Sequence, residues 1–102
     1  MAQLATTITF EAGSTTIVTD FTIQGIAGNL TTINSSVPGT QFTLSKSSGT
    51  VSTDYLIIQD SNATGGATWY AGANSTNAGN NTGWIFSAPP VSTVNGQFFA
   101  FF

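Results

Sequence analysis

Two residue types on which much enzyme chemistry depends are missing, because the 102-residue chain contains no cysteine and no histidine. Without thiols there is no disulfide framework and no thiolate nucleophile; without imidazole the usual triads and general bases cannot be built. Charge is nearly as scarce. Lys46 is the single base and Glu11, Asp20, Asp54 and Asp60 are the acids, so charged residues make up 5% of the chain, against about 25% in ordinary soluble domains. One cation cannot neutralise a run of phosphates, which excludes a basic nucleic-acid groove. No apolar run is long enough to cross a bilayer as a helix. The opening Met1-Ala2-Gln3-Leu4 lacks the basic and apolar parts of a signal peptide, so the expectation is a route other than ordinary secretion or prior removal of a signal.

Aromatic residues, by contrast, are plentiful: eight Phe, two Trp and two Tyr. Chains too polar to fold lack such bulk, so this one folds. Its length fits a single domain spanning residues 1–102. Thr, Ser, Asn and Gly supply the polar surface; Thr favours extended backbone and the others favour turns, which together predict many short strands. A neutral polar surface also suits contact between proteins, since few charges must be desolvated.

Apolar and polar residues alternate in Thr7-Ile8-Thr9-Phe10-Glu11 and again over 17–24, where Ile17, Phe21 and Ile23 would share a buried face. Further strands are expected over 30–35, 41–46, 51–59, 67–71 and 83–86. Turns are expected at 25–29, 37–39, 47–49 and 62–66, and a long Asn/Gly loop over 72–83. Pro89-Pro90 ends any ladder. A weak repeat relates Thr19-Asp20-Phe21 to Thr53-Asp54-Tyr55 at a spacing of 34, and Phe21-Thr22-Ile23-Gln24 to Leu56-Ile57-Ile58-Gln59 at 35. A unit of that size would hold about three short strands, as one coil of a β-solenoid does.

The stretches Asp20-Phe21-Thr22-Ile23-Gln24-Gly25 and Tyr55-Leu56-Ile57-Ile58-Gln59-Asp60-Ser61-Asn62-Ala63-Thr64-Gly65-Gly66 resemble rungs of right-handed parallel β-helices of the pectate-lyase-like class. Ala67 to Phe86 is similar to segments of large phage-encoded and bacterial surface proteins. This resemblance, covering 17–86, implies an extended virion or cell-surface component. The clustered carboxylates of polysaccharide-cleaving members are missing here. The expected fold is therefore all-β, a short parallel β-helix-like solenoid, with a β-sandwich or jelly roll as the alternative.

Candidate chemistry is sparse. Ser45-Lys46 reads as a solvated turn entrance rather than a nucleophile and base, and Asp20 and Asp54 read as turn caps rather than an acid pair. Asp60-Ser61-Asn62-Ala63-Thr64-Gly65 begins like a calcium loop, but Ala71 stands where a bidentate Glu is needed, so an Asx-turn is the expectation and no metal is assigned. Asn-X-Ser/Thr sequons at Asn29, Asn34, Asn62, Asn74 and Asn80 follow from composition and are expected to be unused. Trp69, Tyr70 and Trp84 flank the Asn/Gly loop and could stack on a glycan; the favoured reading instead has the two indoles closing the core.

Gln97-Phe98-Phe99-Ala100-Phe101-Phe102 places large apolar groups on both faces of any strand. Each buried Phe contributes about 1.5–3 kcal/mol, so leaving Phe98, Phe99, Phe101 and Phe102 in water would invite aggregation. Residues 87–102 are therefore expected to form either a buried central strand or, preferably, a segment docking on another subunit. These features point to a non-enzymatic structural protein without cofactor. In this reading it is a capsid decoration or cement protein of a virion, forming homo-oligomers and binding a major capsid protein or neighbouring copies. The alternatives are a glycan-binding adhesin or fibre module, and an extracellular filament subunit at the cell surface.

Overall fold

The computed structural model describes residues 6–90; the four clustered phenylalanines from Phe98 onward lie outside that range. The described residues form ten short strands and no helix: β1 (Thr7–Phe10), β2 (Thr15–Ile17), β3 (Thr31–Ser35), β4 (Phe42–Ser45), β5 (Thr50–Ser52), β6 (Leu56–Gln59), β7 (Ser61–Thr64), β8 (Thr68–Tyr70), β9 (Thr76–Gly79) and β10 (Trp84–Ile85). They assemble into three sheets, ordered β1-β3-β6-β9, β2-β4-β7 and β5-β8-β10. Every strand pairing is parallel. The hairpin ladders of a sandwich or jelly roll are absent among the described residues; the one antiparallel contact is the isolated bridge between Ile26 and Asn29.

From β3 to β8 the chain visits the three sheets in a fixed cycle, and a single core cluster draws on all three. Parallel pairing stacks like positions on one another, which lays the core out in ranks. Ile8, Ile33 and Ile58 share one register position, Leu44 and Ala63 another, and Val51, Trp69 and Trp84 a third. Small residues offset large ones: Phe42 stacks on Ser61 and Leu44 on Ala63, leaving interior volume that the indoles occupy. The isoleucine rank ends at Asn77 on β9, a polar residue where the ladder meets solvent.

The ladder does not follow the expected repeat. Thr7 pairs with Thr32 and Thr31 with Leu56, offsets of 25 residues, whereas Ile57 pairs with Thr76, an offset of 19. The spacing of 34–35 therefore does not correspond to stacking, and Asp20 is not the ladder partner of Asp54.

Two expected strands are also redrawn. The 17–24 stretch leaves its ladder after the bond from the Val18 N–H to the Ser45 carbonyl (2.8 Å). Ile17 is 84% exposed, because Thr16 occupies the inward position opposite Leu44, while Val18, Phe21 and Ile23 pack on the core. The 51–59 stretch breaks at Tyr55, whose φ of 56° turns a corner between β5 and β6. Conversely, β7 and β9 form where turn and loop residues were expected. Their Ser, Asn, Ala and Gly have little intrinsic strand preference, so the pairing with β4 and β6 outweighs local propensity.

Candidate functional site

The aromatic residues flanking the Asn/Gly stretch do not form an exposed platform. Trp69 and Trp84 are 2% and 8% exposed, and their rings meet edge to face at 5.1 Å. Phe21 lies against both, at 5.5 Å and 5.7 Å. Each indole N–H is satisfied inside, Trp69 donating to the Thr64 carbonyl (3.1 Å) and Trp84 to the Ser61 hydroxyl (2.9 Å). Tyr70 alternates outward on β8 and is half-buried. The indole faces are thus engaged with one another and are not open to stack on a sugar.

Two carboxylates organise corners. Asp60, 2% exposed, adopts a φ of 59° between β6 and β7. It accepts hydrogen bonds from the Gly39 N–H (3.0 Å) and from Asn80 Nδ2 (2.7 Å). Asn80 has φ of 56° and also donates to the Gly39 carbonyl (3.3 Å). Gln41 Nε2 adds bonds to the Asn80 carbonyl and the Thr82 hydroxyl. The corner is therefore stitched across successive passes of the chain by short polar side chains that tolerate a left-handed backbone.

Asp54 holds the other corner. Its Oδ1 accepts from the backbone N–H groups of Tyr55 (3.0 Å) and Asn74 (2.8 Å), and its Oδ2 from Asn74 Nδ2 (2.9 Å). Burial pushes its pKa upward, but the bonds from the Asn74 side chain and from the Asn74 and Tyr55 backbones together outweigh burial and hold it below the ordinary 3.8.

Lys46 Nζ donates to the Ser48 carbonyl within its own turn (2.7 Å). The residues from Ser61 to Thr64, where an Asx-turn was expected, are instead strand β7. No group of three or more potential metal-ligating His, Cys, Asp or Glu residues occurs among the described residues.

The remaining surface is made of stacked neutral positions and open ladder edges. Thr7, Thr32, Ile57 and Thr76 share one outward register position. Thr15, Thr43 and Asn62 share another, and Thr82 is bridged to Asn62. All are exposed or half-buried. Among the described residues β1, β2 and β5 have no strand partner on one side, nor have β9 and β10 on the other. Sequence reasoning missed these ranks because unequal offsets between passes hide an alignment that exists only in space.

Comparisons with protein-family models, with curated proteins and with solved structures give no match.

Proposed function

We propose that this chain is a short parallel β-solenoid that serves as a non-enzymatic structural component of a virion or cell-surface assembly, with a capsid decoration or cement protein as the leading case. The observation that carries this reading is the pair of open ladder edges at opposite sides of the sheets. Among the described residues, each edge presents a row of backbone donors and acceptors without a strand partner. Soluble proteins commonly blunt such edges with charge. Here the edge strands β1 (Thr-Ile-Thr-Phe) and β9 (Thr-Asn-Ala-Gly) carry none. The adjoining Thr and Asn ranks offer hydrogen-bonding groups that cost little to desolvate compared with ions.

Parallel ladders also make the two edges chemically different, so a neighbour binds head to tail rather than through a self-complementary patch. That favours the fibre or filament subunit as the second reading. The glycan-binding reading has lost its platform to the core.

The test is to purify the chain and follow its mass by sedimentation from about 1 to 100 μM, a range bracketing the affinities of weak repeated contacts. Concentration-dependent association is expected, as is its loss in a Thr7→Lys/Thr76→Lys variant that keeps a β-rich far-UV spectrum. Capture of a structural subunit by the unsubstituted chain from its parent particle, lost in the same variant, would separate decoration from self-assembly. A chain that stays monomeric across the range and captures no structural subunit overturns the proposal.

A further inference from the structure

The irregular stretch after β2 borders an open apolar cavity of about 370 Å³, lined among others by Phe10, Ile17, Val18, Phe21, Ile23 and Leu44. Asp20 is the one ionisable residue in its lining. Ile17, 84% exposed, is the most exposed large apolar residue among those described. An apolar hollow rimmed by so exposed a side chain calls for an apolar occupant.

We propose that this cavity takes the chain's own phenylalanine-rich segment, Phe98-Phe99-Ala100-Phe101-Phe102, docked in cis. The described chain runs to Pro90, only six residues beyond Trp84, and the Trp84 ring lies 5.7 Å from Phe21 in the cavity wall. Residues 91–102 span up to about 40 Å when extended, ample to return to a wall that the chain has just touched. The segment matches the hollow chemically: residues 91–102 carry no charged side chain, and four of the last five are Phe.

Concentration decides between this chain's segment and a neighbour's. A tethered segment is present at an effective concentration on the order of millimolar, so at micromolar protein the intramolecular site fills about a thousandfold more readily. The docking is independent of the ladder edges and places the most aggregation-prone residues of the chain beside its most exposed isoleucine. It takes the opposite side from the expectation that this segment docks on another subunit.

The absence of cysteine makes the test clean. In the full chain carrying Ile17→Cys and Phe99→Cys, oxidation at about 1–10 μM, well below the effective concentration of a tether, is expected to give an intramolecular disulfide migrating as a monomer. The Val37→Cys/Phe99→Cys pair, with Val37 outside the cavity lining, is expected to cross-link about tenfold less. A predominantly covalent dimer places the segment in a neighbour's cavity and overturns docking in cis. Equal cross-linking of both pairs, or none in either, overturns docking at this cavity. Should the variants fail to fold, the unsubstituted chain decides by its nuclear Overhauser spectra. Contacts between Val18 methyls and the assigned ring protons of Phe98, Phe99, Phe101 or Phe102, as distinct from the wall residues Phe10 and Phe21, support the proposal when they remain intramolecular in a dilute isotope-mixed sample. Their absence sinks it.

Discussion

Asn80 donates from Nδ2 to Oδ1 of Asp60 across 2.7 Å, and both residues sit in the same left-handed backbone conformation, with φ of 56° and 59°. One side chain thus ties together two passes of the chain at the point where each turns. The Asp60 carboxylate is buried and also accepts from the Gly39 N–H, so three passes depend on it.

Replacing Asp60 with Ala removes both acceptors and places a residue that resists positive φ at the corner. Each of the two hydrogen bonds contributes roughly 0.5–1.5 kcal/mol, and the backbone penalty adds about 1 kcal/mol. Urea unfolding is expected to show a loss of about 2–4 kcal/mol. Asp60→Asn, which keeps a side chain suited to this conformation, is expected to lose less. Equal losses would show that charge, not backbone, sets the corner.

Gly65 has φ of +94°, and a Cβ there would run into the Lys46 carbonyl. That carbonyl also accepts the Ala67 N–H at 3.1 Å, so it cannot retreat freely. Gly65→Ala is expected to destabilise by about 2 kcal/mol or more, from positive φ and collision together. Gly13, with φ of +78° but open space around it, is expected to lose about 1 kcal/mol on the same change. A reversal of that order in thermal melts would mean that the close approach of strands is not what selects glycine.

The Thr31 hydroxyl is buried and has no hydrogen-bond partner among the described residues. Leaving a buried hydroxyl unpaired costs about 1–3 kcal/mol. Thr31→Val keeps the shape and removes the polar atom, and is expected to raise stability by roughly 1 kcal/mol. Unchanged or lower stability in denaturant titrations would indicate that the oxygen is satisfied in solution.

Asp54 supplies the pH dependence. Its folded pKa is depressed, so its contribution is complete above the unfolded carboxylate range near 3.9 and is lost as pH falls through the lower folded value. Between about pH 5 and 2 the melting temperature is expected to fall less steeply in Asp54→Asn than in the parent chain. Parallel slopes would mean that the Asn74 and Tyr55 bonds do not favour the ionised form.

Much of the fold was legible where side chains had only one good place to go. Alternation in Thr7-Ile8-Thr9-Phe10 gave β1 its half-buried Ile8 and Phe10 face, and the Thr31–Ser35 and Phe42–Ser45 strands fall within the predicted ranges. Legibility failed where partners decide. Ser61-Asn62-Ala63-Thr64 has turn-like composition, yet Ser61 and Ala63 are the small neighbours that Phe42 and Leu44 require. Over 17–24 a period of two is present, but the contact of Phe21 with two indoles distant in sequence draws the chain off the ladder. The tryptophans were legible: the favoured reading had the two indoles closing the core, and Trp69 and Trp84 are buried there.

The offsets of 25 and 19 residues between neighbouring strands of a single sheet carry a practical consequence. Rung spacing is fixed by hydrogen bonds, so surplus chain escapes at the bends, as it does between β2 and β3. Foreign peptide spliced at such a bend, for instance beside the exposed Val37, would leave the rungs unaltered. The molecule is in effect a rack whose shelves stay level however much material hangs from their corners.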